Sequence, residues 1–185
     1  RELAHGMDAQ QRGRSMQRAL RALQLLAGGE VPLRISAWAG DMGESTVAQL
    51  PLQAEVLGSR EEQLSVPADT REAALALRDA GVDVLVFAGG DGTARDIYDA
   101  LGDSLPVLGI PAGVKMHSAV FAVSPEAAGE LLLKLATGGL VGVQLREVRD
   151  IDEEAFRHDV VRSRFYGEMP VPGDGSYLQH TKVGG

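Results

Sequence analysis

Short apolar runs alternate with amphipathic segments along most of this chain, at lengths typical of strands and helices. Residues 82–88 and 106–110 are almost continuously apolar, as expected of strands buried on both faces of a parallel sheet. Residues 33–38 and 52–57 are shorter apolar or alternating runs. They predict two further strands, because alternation with a period of two is the strand pattern.

Apolar residues at helical spacing lie between these runs. In residues 14–27 apolar side chains recur every three or four positions, and two glycines follow them. Asp69 and Glu72 have the spacing of a capping box at a helix start. Ser124 followed by Pro125 is typical of another helix start. The predicted helices are residues 14–27, 44–50, 69–80, 94–101 and 124–137.

The order of these elements predicts the fold class. Strands and helices alternate over residues 30–137, which indicates an α/β fold with a mostly parallel, Rossmann-like sheet and helices on both faces. Residues 1–13 are polar and predict an irregular start to the chain.

The pattern changes after residue 139. Two longer and more polar strands are predicted, residues 143–151 and 160–170, and an acidic stretch at residues 152–154 joins them. We therefore expect an α/β domain over residues 1–140, followed by the beginning of a β-rich domain over residues 141–185. The second part is short for an independent domain, so we expect it to be incomplete.

Composition narrows the classes of partner. The chain has 185 residues, is 44% hydrophobic and carries a formal net charge of -8, without any cysteine. An acidic surface argues against binding to nucleic acids or to a membrane surface, which needs clustered positive charge. No disulfide can form, and we expect a cytoplasmic protein that assembles as a homo-oligomer.

One glycine-rich segment carries the clearest chemical signal. The apolar run ends in Gly89, Gly90, Asp91, Gly92 and Thr93, and a helical pattern follows. Glycines allow a ligand to approach the backbone closely, and the free N–H groups at a helix start favour an anion. Asp91 would stand at the carboxyl end of the strand, where it can act as a general base or hold a divalent metal.

A hairpin turn and two common glycine motifs are the alternatives for this segment. Asp-Gly is frequent in hairpin turns, although the helical pattern that follows disfavours a hairpin. The Walker motif is absent, and Arg95 stands where the dinucleotide fingerprint has its third glycine. The segment therefore predicts a different kind of phosphate-binding loop.

A second segment repeats the arrangement at residues 108–119. A buried strand again ends in a loop of proline and glycine. Gly113 allows close approach, Lys115 can neutralise a phosphate, and His117 and Ser118 can donate hydrogen bonds to one. The alternatives are that the lysine is only solvated and the histidine only a surface residue. Because parallel neighbours place their loops at one edge, both segments are expected to flank one ligand.

The two motifs together resemble the ATP-NAD kinase family. The stretch from Phe87 to Ala122, FAGGDGTARDIYDALGDSLPVLGIPAGVKMHSAVFA, is most similar to its bacterial and archaeal AcoX-type branch, within a superfamily that includes diacylglycerol and sphingosine kinases. The resemblance covers residues 30–183. It implies an N-terminal α/β domain that binds nucleotide and phosphate, a mostly β C-terminal domain, and a cleft between them.

The resemblance also implies an activity and site roles. A phosphoryl group would pass from ATP or polyphosphate, with Mg²⁺, to a hydroxyl, which in NAD kinases is on the adenosine ribose of NAD. Asp91 would be the catalytic and metal-binding carboxylate. Residues 113–118 would contact the nucleotide from the second loop. Gly89, Gly90, Gly92 and Thr93 would contact phosphates.

Two departures from the family leave the acceptor open. Family members usually have an early strand with an Asn-Pro phosphate loop, and true NAD kinases carry an Asn-Glu pair that holds the ribose. This chain contains no asparagine. A kinase of the same fold acting on a lipid, sugar or other small alcohol is therefore one alternative. A nucleotide-binding regulatory protein without activity is another.

Overall fold

The computed structural model describes residues 2–28, 30–59, 66–139, 141–151 and 162–180, with backbone only for residues 2–9. The α-helices within these residues are α1 (Glu2–Leu23), α2 (Glu44–Val47), α3 (Pro67–Asp79), α4 (Asp91–Leu101) and α5 (Pro125–Ala136). The strands are β1 (Ile35–Ala37), β2 (Ala54–Val56), β3 (Leu85–Gly89), β4 (Val107–Pro111), β5 (Val143–Ile151) and β6 (Ser163–Pro172).

These strands confirm the predicted α/β class. β1 pairs with β2 and β3 pairs with β4, both in parallel, and helices flank the two pairs. β5 and β6 then form an antiparallel hairpin with a register irregularity between Val148 and Arg149. The described strands form separate two-stranded sheets and not one continuous hydrogen-bonded sheet.

Two helix starts show how the local sequence sets the elements. Ser124 caps α5: its hydroxyl accepts a hydrogen bond from the Ala127 N–H at 3.0 Å, and Pro125 occupies the first helical position. α3 begins two residues earlier than predicted, so Asp69 is not its N-cap residue. Its carboxylate instead accepts from the Val66 N–H at 2.8 Å, from within the first turn.

Two further helices also begin earlier than predicted, and α2 ends at Val47 and not at residue 50. Residues 1–13 were expected to be irregular, but α1 begins at Glu2, because a proline-free stretch of mostly helix-tolerant residues forms a helix without an apolar stripe. α4 was expected from residue 94 and begins at Asp91. The glycine-rich segment is thus partly the first turn of a helix.

The packed core surrounds β3 and β4. Every residue of β4 is buried, and Phe87 meets Phe121 edge to face at a ring distance of 5.5 Å. A Cβ on Gly109 would lie 2.4 Å from the Phe121 ring, so this strand passes the ring only as glycine. Val148, Met169, Val171 and Leu178 of the C-terminal part belong to the same cluster of buried residues.

A cavity of about 1280 Å³ lies beside this core. β1 and β3 both line it, with α1 and α3 contributing further walls, and its lining includes Gly89, Gly90 and Gly113. Its volume exceeds the roughly 300–1,000 Å³ of usual ligand pockets. The cavity therefore connects the weakly packed N-terminal strand pair with the glycine-rich segments.

The β5–β6 hairpin packs on α4 and β4. A Cβ on Gly167 would lie 2.2 Å from the Tyr98 ring, so the hairpin approaches α4 closely at this glycine. The acidic stretch at residues 152–154 and the predicted strand start at residues 160–161 lie outside the described residues. The domain boundary at residue 140 stays a prediction. None of the helices in the described part combines the length and apolar character of a membrane span.

Candidate functional site

The two glycine-rich bends meet backbone to backbone. The Gly89 carbonyl accepts hydrogen bonds from the N–H groups of Ala112 at 3.0 Å and Gly113 at 3.2 Å. A Cβ on Gly113 would lie 3.1 Å from the Gly90 Cα. Residues 89 and 111 are register partners at the carboxyl ends of β3 and β4. The expectation that both loops share one edge of the sheet agrees with this geometry.

Close approach, and not a left-handed backbone, explains Gly89 and Gly113, whereas a Cβ on Gly90 or Gly92 would meet its nearest neighbour only at 3.6 or 3.9 Å. None of Gly89, Gly90, Gly92 and Gly113 has a positive φ. A Cβ on Gly89 would lie 2.5 Å from the Thr93 hydroxyl oxygen, so Thr93 folds back over the end of β3. Any side chain at position 89 would displace that threonine.

The helix start supplies donors for an anion. Gly90 is the N-cap residue of α4 and has no side chain to cap it. Asp91, Gly92 and Thr93 form the first turn, where backbone N–H groups have no partner within the helix. Such N–H groups and the helix dipole favour a phosphate.

Asp91 joins the two segments. Its Oδ2 accepts from the His117 N–H at 2.7 Å and its Oδ1 from the Ser118 N–H at 2.9 Å. Asp91 is half-buried, and it is not among the residues that line the cavity. Each oxygen retains a lone pair beyond the one used by its amide.

Ser118 lies deeper than a phosphate ligand would. Only 2% of the residue is exposed. Its hydroxyl donates to the Arg149 carbonyl at 2.7 Å and accepts from the Arg149 N–H at 2.9 Å. The hydroxyl is therefore directed to β5, and only its backbone amide is directed to Asp91.

The rest of the second loop is open. Gly113, Val114 and Lys115 are exposed, Val114 to 75%. Lys115 has a φ of 55°, the left-handed region, which costs a non-glycine residue about 1–2 kcal/mol. His117 is half-buried and contributes its backbone N–H to Asp91. The site thus brings Asp91 together with the backbone of residues 117 and 118, and leaves the lysine amine in the exposed part of the loop.

A pair of charges beside the first turn of α4 was not predicted from the sequence. Arg95 binds the Asp150 carboxylate of β5 at 3.0 Å, and a Cβ on Gly92 would lie 3.9 Å from that carboxylate. The guanidinium also lies 5.6 Å from the centre of the Tyr166 ring. Burial lowers the pKa of Arg95, but the Tyr166 hydrogen bond and Asp150 outweigh it, so the pKa is raised overall.

A second pair joins α3 to α4. Arg71 binds the Asp96 carboxylate at 3.0 Å, and Asp96 is buried. Desolvation raises the pKa of Asp96 above its usual value, although Arg71 and Arg95 act in the opposite direction. Thr70 lines the same cavity as Gly92 and Thr93. Both helix starts therefore border the same space.

The acidic side chains do not form a ready-made metal cluster. The described residues hold no group of three or more potential ligands among histidine, aspartate and glutamate. Mg²⁺ is commonly bound through one or two carboxylates together with phosphate oxygens and water. A half-buried carboxylate at a helix start, as Asp91 is, fits a magnesium ion that arrives with a nucleotide.

Comparison with known proteins gives one match. The family described as ATP-NAD kinase N-terminal domain matches residues 11–140, which is more than half of the chain. Searches of the curated proteins and of the solved structures found no significant match. The matched region contains both glycine-rich bends and Asp91. The chain belongs to the ATP-NAD kinase family.

Proposed function

We propose that this chain forms the phosphate-binding part of a phosphotransferase site, in which ATP or polyphosphate is the donor and the ribose 2′-hydroxyl of NAD the acceptor. One observation carries the proposal. Two side-chain-poor bends meet at the carboxyl ends of adjacent parallel strands, and a half-buried carboxylate is held between them. Family membership supports the reaction class at the level of an ATP-NAD kinase-type phosphotransferase.

The donor would lie at the start of α4. The first-turn N–H groups of Asp91, Gly92 and Thr93 would bind phosphate oxygens, and the bend at Gly113 would close the other side. The cavity reaches these glycines and is large enough for a nucleotide. In a chain with a net charge of -8, backbone dipoles attract an anion without adding basic side chains.

Asp91 would orient the acceptor hydroxyl and take its proton. Hydrogen bonds from two backbone amides hold the carboxylate in one orientation, and its remaining lone pairs can accept a hydrogen bond from a substrate hydroxyl. Asp91 would also hold Mg²⁺, which supplies charge neutralisation on the phosphates when bound. The contribution of this chain is otherwise to position the reactants, which accounts for much of phosphoryl-transfer catalysis.

A substitution of Asp91 tests the proposal. We expect Asp91→Asn to lower turnover by about 10²–10⁴-fold, the usual contribution of a positioned general base. Asp99→Asn is the matched control, because Asp99 lies exposed on the same helix. The measurement is ADP release by the full chain with ATP, Mg²⁺ and NAD. Equal turnover of Asp91→Asn and Asp99→Asn would contradict the catalytic role.

The acceptor has a second candidate. The absence of asparagine removes the pair that holds the NAD ribose in true NAD kinases, and this favours another alcohol, such as a lipid or a sugar. A panel of acceptors that includes NAD separates the two, since only one should give a phosphorylated product. Nucleotide binding without ADP release for any acceptor would instead indicate a regulatory protein.

A further inference from the structure

We propose that Ser118 is a positioning residue, which fixes the two amides that hold Asp91 by attaching the second loop to β5. The structural part stands on hydrogen bonds alone. The consequence for catalysis rests on the proposed function.

Ser118 and Ala119 form hydrogen bonds with the backbone of β5 along the edge that faces away from β6, as a neighbouring strand would. The Ala119 N–H donates to the Glu147 carbonyl at 2.9 Å, so the loop runs beside this strand. Two residues further along β5, the Ser118 hydroxyl binds both the N–H and the carbonyl of Arg149. Residues two apart in a strand direct their backbone groups to the same side. The hydroxyl therefore continues, with one side chain, the pairing that the Ala119 amide begins.

These bonds fix the direction of the amide at position 118. The residue is held on one side by Asp91 and on the other by β5, through three separate groups: its N–H, its hydroxyl and the following N–H. The His117 N–H belongs to the preceding peptide group and binds the other carboxylate oxygen. A change in the Ser118 side chain must therefore reach the orientation of Asp91.

The same geometry argues against a direct role in binding phosphate. A serine hydroxyl has one donor, and here the donor is used by the Arg149 carbonyl. The residue is also almost fully buried. The β hairpin thus acts on the active carboxylate through Ser118, although no side chain of β5 or β6 is required to touch the substrate.

Native-state hydrogen exchange of the full chain tests the structural part. We expect Ser118→Ala to increase exchange of the His117 amide by about tenfold or more, because two of the three hydrogen bonds described between the loop and β5 are lost. Amides of β4 should keep their protection. Ser104→Ala is the matched control, since that hydroxyl also donates to a backbone carbonyl at 2.7 Å but stands at the far end of α4.

Two further variants keep the test decisive. Ser118→Thr retains the hydroxyl and should restore most of the protection. Ser118→Cys fills nearly the same volume with a weak donor, and it should lose protection even if Ser118→Ala does not fold. Unchanged exchange of the His117 amide in both Ser118→Ala and Ser118→Cys would overturn the proposal.

Kinetics test the consequence for catalysis. We expect Ser118→Ala to lower kcat by about tenfold or more with little change in KM for ATP, because a misdirected carboxylate impairs the chemical step and not donor binding. Faster exchange with an unchanged kcat would overturn the positioning role. A wild-type chain that turns over no acceptor would refute the proposed function, and the exchange result would then decide the structural claim by itself.

Discussion

The described part of the chain contains two parallel strand pairs that differ in how well they are packed. β3 and β4 have five residues each, and β4 is buried throughout. β1 and β2 have three residues each, and β2 has no buried residue. Both pairs border the cavity, β1 and β3 along their whole length and β4 only through Ile110, while the core cluster surrounds β3 and β4.

This difference shows where the site obtains its rigidity. Both glycine bends follow the well-packed pair, so the backbone that would bind phosphate extends from strands of the buried core. Close-packed interiors deform little, which favours a preorganised site. The β1–β2 pair borders the same cavity but adds no residue to the Asp91 cluster. We infer that stability and site geometry depend on the second pair far more than on the first.

The largest effect on stability is expected when a leucine of the β3–β4 pair is compared with a leucine next to the β1–β2 pair. Leu108 is fully buried in β4, whereas Leu33, just before β1, is half-buried and lines the cavity. Leu108→Ala should reduce the free energy of unfolding by about 2–5 kcal/mol, because it leaves a void in the core. Leu33→Ala should reduce the free energy of unfolding by clearly less, since its side chain already borders the cavity. Urea unfolding measures both, and equal losses would remove the distinction.

Two glycines, one on α5 and one on α1, extend the comparison between packed and open positions. A Cβ on Gly129 of α5 would lie 2.3 Å from the Ala22 carbonyl oxygen of α1, while a Cβ on Gly13 of α1 would meet nothing within 4 Å. Gly129→Ala should therefore destabilise by about 1–3 kcal/mol through overpacking. Gly13→Ala should stabilise by up to about 1 kcal/mol, because alanine is the better helix former. Thermal unfolding of both variants checks the opposite signs.

Lys115, in the exposed loop that follows β4, provides a smaller test. Both Lys115→Gly and Lys115→Ala remove the amine, but only glycine relieves the left-handed backbone. We expect the glycine variant to be more stable than the alanine variant by up to about 1 kcal/mol. Denaturant unfolding gives the difference. An alanine variant of equal or greater stability would show that the loop relaxes without strain.

The smallest effect concerns the buried carboxylate between α3 and α4. The pKa of Asp96 is raised, so the folded state binds its proton more readily than the unfolded state does. Its contribution to stability is then greatest below its usual pKa of about 3.9 and falls as the pH rises through the folded value. Asp96→Asn removes this pH-dependent loss of stability. The free energy of unfolding of the variant should therefore rise relative to that of the wild type as the pH rises. Unfolding at several pH values measures the slope, and a difference that does not vary with pH would contradict the assignment.

The sequence predicted β3, β4 and the start of α5 well because their signals are local. Continuous apolar runs indicated β3 and β4, and Ser124 with Pro125 located the start of α5. Glycine-rich loops after adjacent parallel strands also suggested that the bends would meet. These inferences depend on neighbours in sequence and on the general geometry of parallel sheets.

The remainder depends on tertiary contacts that no local pattern encodes. Nothing near Ser118 in sequence indicates that its hydroxyl binds Arg149 of β5, which lies 31 residues further along. Arg95 and Asp150 meet only because the hairpin packs on α4. The early start of α1 escaped for a different reason, since its first part, residues 2–13, is mostly polar and has no apolar stripe to reveal it.

Titration of the isotope-labelled chain with ATP and Mg²⁺, followed through its glycine amide resonances, tests the central claim most directly. If the two bends form one phosphate site, the amides of Gly90, Gly92 and Gly113 should shift together with one dissociation constant. Gly102 and Gly138, which follow the ends of α4 and α5 and do not line the cavity, should not shift. Saturable shifts that leave the three bend glycines unmoved, or no shifts at all, would contradict the account.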